Sequence, residues 1–162
     1  TEKIILGIDP GIADTGFGVI RLTRDNRMLP VVHGSIRTEA NQELATRLEE
    51  IAASLNRLVG QYGPDLVAVE ELFFCQNVKT ALVDGQARGV VLLTARQNRI
   101  PLVEFTPLQV KQAVSAYGRA GKMQVQRMVK MLLNLKEIPK PDDAADALAV
   151  AICAANSHAP GN

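Results

Sequence analysis

The sequence predicts an α/β protein, a five-stranded mixed sheet flanked by helices on both faces. Three apolar, strand-like runs at 3–9, 15–22 and 28–37 follow one another across short turns, as antiparallel neighbours do. Beyond them, helix-like and strand-like segments alternate, the signature of β–α–β units with parallel strands and helices covering the sheet. Two of the strands end in acids, which marks one sheet edge as a place to look for chemistry.

Each element has its own warrant. Residues 3–9 read as a short buried strand and 15–22 as a second. MLPVVHGSIR, 28–37, is the third, with Asp25, Asn26 and Arg27 making the turn before it. Leu44, Leu48, Ile51, Leu55 and Leu58 recur at intervals of four and three, the apolar stripe of a helix over 41–59. Gly60 and the Gly63-Pro64 pair are its stop signals. DLVAVEEL, 65–72, is a fourth strand, 77–98 a helix and IPLVEF, 100–105, a fifth strand. Helices near 107–117 and 122–135 flank a GRAGK loop, and a last helix runs from about Asp142 to Ala155. No repeat, linker or low-complexity tract interrupts the chain, which predicts a single domain over 1–162.

Composition narrows the function. Hydrophobic content of 47% and charged content of 22% are those of an ordinary globular protein. No run approaches the length of a membrane span, and no basic-then-apolar leader opens the chain, so a cytoplasmic protein with no membrane role is expected. Cys75 and Cys153 sit among apolar neighbours and read as reduced, buried thiols. With His33 and His158 they match no usual zinc spacing. A net charge of +1 excludes a general nucleic-acid coat, so any DNA contact must come from a local patch.

The acids carry the chemistry. Asp9 ends the first strand and Glu70-Glu71 the fourth; parallel neighbours would bring them out at the same edge. Side-chain alternation turns Glu71 away from Glu70. In PDDAADALAVA, Asp143 and Asp146 are three residues apart and share one helix face. Asp142 and Asp143 could instead cap that helix or favour its dipole, and Asp9 could be an ordinary turn residue. Taken together, acids ending three separate core elements repel unless a cation neutralises them. Oxygen-only ligands suit Mg²⁺ or Mn²⁺, and two such ions can serve phosphodiester hydrolysis. Lys111, Arg119, Lys122, Arg127 and Lys130 lie around the GRAG loop and could meet phosphates; for Arg127 and Lys130 a solvated helix face is an equal alternative.

LGIDPG…TGFGVI, AVEELFF, GQARGV, QVKQAV, GKMQVQRMV and DAADALAVA, in this order from about residue 4 to 155, resemble the RuvC family of Holliday-junction resolvases. The resemblance implies an RNase H-like fold and a homodimer that cuts four-way DNA junctions symmetrically in recombination and repair. It implies divalent metal, Mg²⁺ with Mn²⁺ able to substitute, at two ions per site. By position it makes Asp9, Glu70, Asp143 and Asp146 the catalytic, metal-holding acids. It makes Lys111 and Lys122 contacts to DNA or the transition state, and Phe73 an aromatic that touches junction bases. Some family members carry His where this chain has Asp143. The implied partners are junction DNA and the branch-migration proteins RuvA and RuvB. Three other readings compete. An actin-like ATPase needs a second lobe for which 162 residues leave no room. A nuclease of ribosomal RNA maturation should lack the DAADALA helix, and a non-catalytic junction scaffold should have lost one of the four acids.

Overall fold

The computed structural model describes residues 1–71, 77–115 and 120–158. The predicted sheet forms from β1 (Lys3–Asp9), β2 (Asp14–Leu22), β3 (Met28–Arg37), β4 (Leu66–Glu70) and β5 (Leu102–Phe105). Its order is β3-β2-β1-β4-β5. The first three strands pair antiparallel, and β1–β4 and β4–β5 pair parallel. The helices are α1 (Leu44–Tyr62), α2 (Val78–Gln97), α3 (Pro107–Val114), α4 (Lys122–Leu132) and α5 (Asp142–Ser157).

Strand alternation divides the core in two. Ile5, Ile20, Leu22, Leu66 and Ala68 pack with α3, α4 and α5 on one face. Leu6, Ile8, Val19, Val67 and Val69 pack with α1 and α2 on the other. Strand parity therefore sends Asp9 and Glu70, which follow Ile5 and Ala68 at even spacing, to the α5 face.

Helix ends depart from expectation in physically simple ways. A turn closed by Gln42 N–H on the Glu39 carbonyl occupies the predicted first turn of α1, which begins at Leu44. Gly60 does not stop that helix. It sits exposed with open space beside it and costs only about 1 kcal/mol of helix propensity. The stop is Gly63, left-handed at φ 55°, whose N–H bonds the Val59 carbonyl at 2.9 Å. The α4 helix ends at Leu132, short of the predicted 135, and Asn134 just beyond it is left-handed at φ 52°. At the start of α3, Thr106 and Gln109 form a reciprocal capping box, with Pro107 in the first turn.

The α5 helix lies directly on β1 and β2, buried from Ala144 to Cys153 and on to Ala155 apart from half-buried Asp146. Two glycines make that approach possible. A Cβ at Gly7 would collide with the Ala147 carbonyl, and one at Gly16 with the Asp143 carbonyl. Among the described residues, no helix is long and apolar enough to cross a membrane.

Candidate active site

Three elements deliver the acids. Asp9 ends β1, Glu70 ends the adjacent parallel β4, and Asp143 and Asp146 leave the first turns of α5 as it crosses the same face. Asp9, Asp143 and Asp146 each place one carboxylate oxygen within 4.8 Å of the other two. Glu70 stands beside this trio, close enough to feel the charge of Asp146. The structure thus gathers all four predicted acids, three into one tight cluster and the fourth at its flank.

Burial and mutual repulsion dominate the electrostatics. Burial, then the charges of Asp146 and Asp143, push the Asp9 carboxyl from 3.8 up to about 8. Burial first and Asp146 second raise Glu70, against an opposing pull from Lys111. Asp146 is also raised, chiefly by burial and against the pull of Lys122. Carboxylates held this close want a countercharge, and an all-oxygen donor set fits a hard divalent cation. Asp9, Asp143 and Asp146 are the residues that would hold it, with Glu70 at hand.

A cleft of about 300 Å³ opens beside the acids. Glu70, Asp146, Lys111 and Lys122 line it above an apolar wall that includes Val110 and Val125. Lys111 comes from the last turn of α3 and Lys122 from the first residue of α4, so both predicted lysines reach the site. Arg127 and Lys130 do not line the cleft; Arg127 is exposed on α4, the solvated face weighed above. Phe73, Arg119 and Cys75 lie outside the described residues.

Asp142 opens the first turn of α5, where its charge favours the helix dipole, but it neither caps the helix nor joins the cluster. Its carboxylate accepts from Lys122 Nζ at 3.1 Å and from the buried Gln126 Nε2 at 3.0 Å, which holds it below the ordinary carboxylate range. Glu71, just past the end of β4, is exposed. Cys153 is a buried free thiol, raised to about 11 by burial, and its Sγ rests 3.7 Å from the Gln109 carbonyl. It is inert at neutral pH.

Sequence reasoning missed the glycines that seat α5. A signal existed, since isolated glycines inside strand patterns mark close backbone approach, but nothing local said which helix approaches.

The cluster makes stability depend on pH. A carboxyl raised from 3.8 to about 8 favours the folded state while it is protonated, and that contribution is lost as pH rises through about 8. Glu70 and Asp146 act in the same direction. Asp25 and Asp142 are lowered instead, so their contributions are lost only on acidification below 3.8. Thermal unfolding in EDTA should therefore show a falling Tm as pH rises between 3.8 and about 8. A divalent cation should restore stability, increasingly so with pH, because the ionised acids bind it. A Tm that climbs with pH across this window in EDTA would contradict the cluster.

The model of the family described as "Crossover junction endodeoxyribonuclease RuvC" matches residues 5–154. The protein of that name from Halothermothrix orenii is 54% identical over 155 residues, covering 96% of this chain and 93% of the relative. The one from Desulforamulus reducens is 56% identical over 150 residues, covering 93% and 91%. Among solved structures, Thermus thermophilus RuvC in complex with a Holliday junction substrate superposes with a TM-score of 0.85 at 34% identity. That superposition covers 95% of this chain and 94% of the other. The two-faced mixed sheet with acids at its β1–β4 edge is thus an RNase H-like fold, and the chain belongs to the RuvC family of crossover junction endodeoxyribonucleases.

Proposed function

We propose that this protein, working as a homodimer, binds four-way DNA junctions and resolves them by paired symmetric incisions with Mg²⁺, two ions per site. In this reading Asp9, Glu70, Asp143 and Asp146 are the catalytic acids. One observation carries it: four carboxylates from three separate elements converge beside a cleft that also holds two lysines. Bound divalent ions supply acidification of water and neutralisation of charge on the leaving oxygen. The chain's own groups do the rest. Lys111 and Lys122 attract the DNA backbone into the cleft, and the half-buried acids hold their geometry without reorganisation. Arg119 and Phe73 extend the DNA contacts, Phe73 by stacking on a base opened at the junction centre. Family membership supports a cytoplasmic, single-domain nuclease that works beside RuvA and RuvB.

The test is incubation with labelled four-way and linear duplex DNA, with and without Mg²⁺. Paired, symmetric nicks should appear on the four-way substrate alone, and only with the metal. Equal cutting of linear duplex, or an intact junction in Mg²⁺, would overturn the reading.

The homodimer rests on α2. Ala87, Val91, Thr94 and Ala95 bury one side of this helix against the sheet. The opposite side exposes Val78 at 68%, Leu82 at 65% and Leu93 at 57%, with Gly89 between them in open space. A helix apolar on both sides needs a second partner, and a flat self-complementary patch suits a two-fold interface. Ala81, Gly85 and Val90 are half-buried; the outward stripe is Val78, Leu82, Gly89 and Leu93. Gly89→Leu fits the isolated subunit, because nothing lies within 4 Å of the added carbon. It should shift sedimentation toward monomer and cost paired incision. An unchanged dimer would refute the placement.

A further inference from the structure

We propose that Asp84 and Arg88 of α2 are positioning residues that clamp the two strand ends presenting Asp9 and Glu70. The idea rests on the metal-holding role proposed for those acids. Asp84 and Arg88 are four residues apart, so they leave the same face of the helix. Asp84 Oδ1 accepts from the backbone N–H of Ile12 at 3.0 Å, in the loop that follows Asp9. Arg88 donates from Nη2 to Glu104 Oε1 at 2.8 Å and from Nε to the backbone carbonyl of Glu70 at 3.4 Å. Its side chain is only 14% exposed, which sets it apart from ordinary surface ion pairs.

Each contact answers a mechanical need. Four acids crowded at one sheet edge repel, and the strands that carry two of them finish there. Beyond Asp9 the chain leaves the ladder until Asp14; Asp84 holds that loop from the α2 side while the Thr15 hydroxyl holds the Gly11 carbonyl at 2.7 Å. Beyond Glu70, the Glu71 N–H still reaches the Phe105 carbonyl at 2.7 Å, and Arg88 adds a tie from Glu70 to Glu104 on β5. Buried Ala87 and Val91 fix α2 to the sheet, so the helix is a rigid bar from which both clamps reach. Neither side chain joins the acid cluster; both act through the backbone that carries it.

The test compares Asp84→Ala, Asp84→Asn, Arg88→Met and Arg88→Lys with wild type. Mn²⁺ binding to DNA-free protein is measured by calorimetry, and the half-saturating Mg²⁺ concentration is measured in junction cleavage. Asp84→Ala and Arg88→Met should each weaken Mn²⁺ binding about tenfold and raise the Mg²⁺ requirement in step, as loss of outer-shell support does. Asp84→Asn keeps an oxygen acceptor for Ile12 and should restore near-normal affinity. Arg88→Lys keeps the charge but only one of the two contacts, and should fall between. Junction binding in EDTA and sedimentation should not change. Unaltered Mn²⁺ affinity in Asp84→Ala and Arg88→Met would overturn the clamp, whatever happened to their Tm. Should Arg88→Met fail to fold, Glu104→Ala frees Arg88 at a surface position and must shift Mn²⁺ affinity in the same direction. Because Mn²⁺ binding is read without DNA, a wild type that cut no junction would overturn the nuclease reading alone. The clamp would then still stand or fall on the Mn²⁺ affinities.

Discussion

Asp146→Asn should abolish junction cleavage in Mg²⁺ while leaving junction binding in EDTA nearly intact. The substitution keeps size and removes the charge that Asp146 contributes to the cluster with Asp9 and Asp143. A loss of about 10³-fold, or ~4 kcal/mol of transition-state stabilisation, is the expected scale. Binding should survive because it rests on cations such as Lys111 and Lys122, which the change does not touch. A second signature follows from the same electrostatics. Asp146 is the leading charge that raises Asp9, so the variant should gain Tm in EDTA near neutral pH and lose the stabilisation that a divalent cation supplies. Asp142→Asn is the control. It keeps one oxygen acceptor, for Lys122 or for Gln126 but not both, and stands outside the trio, so most activity should remain. Retained cleavage in Asp146→Asn, or equal damage in Asp142→Asn, would show that the wrong aspartate had been assigned.

Gly16→Ala should damage stability and activity together. The added methyl meets the Asp143 carbonyl head-on, and backbone cannot swing aside as a side chain can. Either α5 lifts from β2 or the strand bends, at a cost of about 1–3 kcal/mol for overpacking. In Tm this is a loss of about 3–10 °C for a domain of this size. Because Asp143 moves with its carbonyl, cleavage should fall further than the unfolded fraction explains. Gly60→Ala on the exposed side of α1 has open space and should instead stabilise by about 0.5–1 kcal/mol. Thermal unfolding with single-turnover cleavage separates the two effects. If Gly16→Ala were as stable and active as wild type, the close seat of α5 would be wrong.

The RNase H-like order of elements was legible because each has a local signal. The apolar runs of β1 to β3, the 3.6-residue stripe of α1 and the Thr106–Gln109 cap of α3 each sit within a few residues of chain. Where local signals competed, the reading slipped. Gly60 and Gly63 look alike as letters, yet only Gly63 takes a left-handed φ, because the chain must turn there toward β4. The acids were legible too: strand ends and three-residue spacing mark Asp9, Glu70, Asp143 and Asp146, and family resemblance set Asp143 ahead of its neighbour.

Taken alone, the sequence marked the elements, their alternation and the candidate acids, since periodicity and spacing are properties of contiguous chain, while the choice of Asp143 over Asp142 came from the family resemblance. Only the tertiary structure decided what those residues meet. It turned Asp142 toward Lys122 and Gln126 while Asp143 faces Asp9. It used Gly7 and Gly16 to seat α5, and it aimed Asp84 and Arg88 at backbone some 70 and 20 residues away in sequence. Such contacts leave little local pattern. A glycine beneath a helix or an arginine beneath a carbonyl is chosen by the shape of the space between packed elements, and that space exists only once the chain has folded.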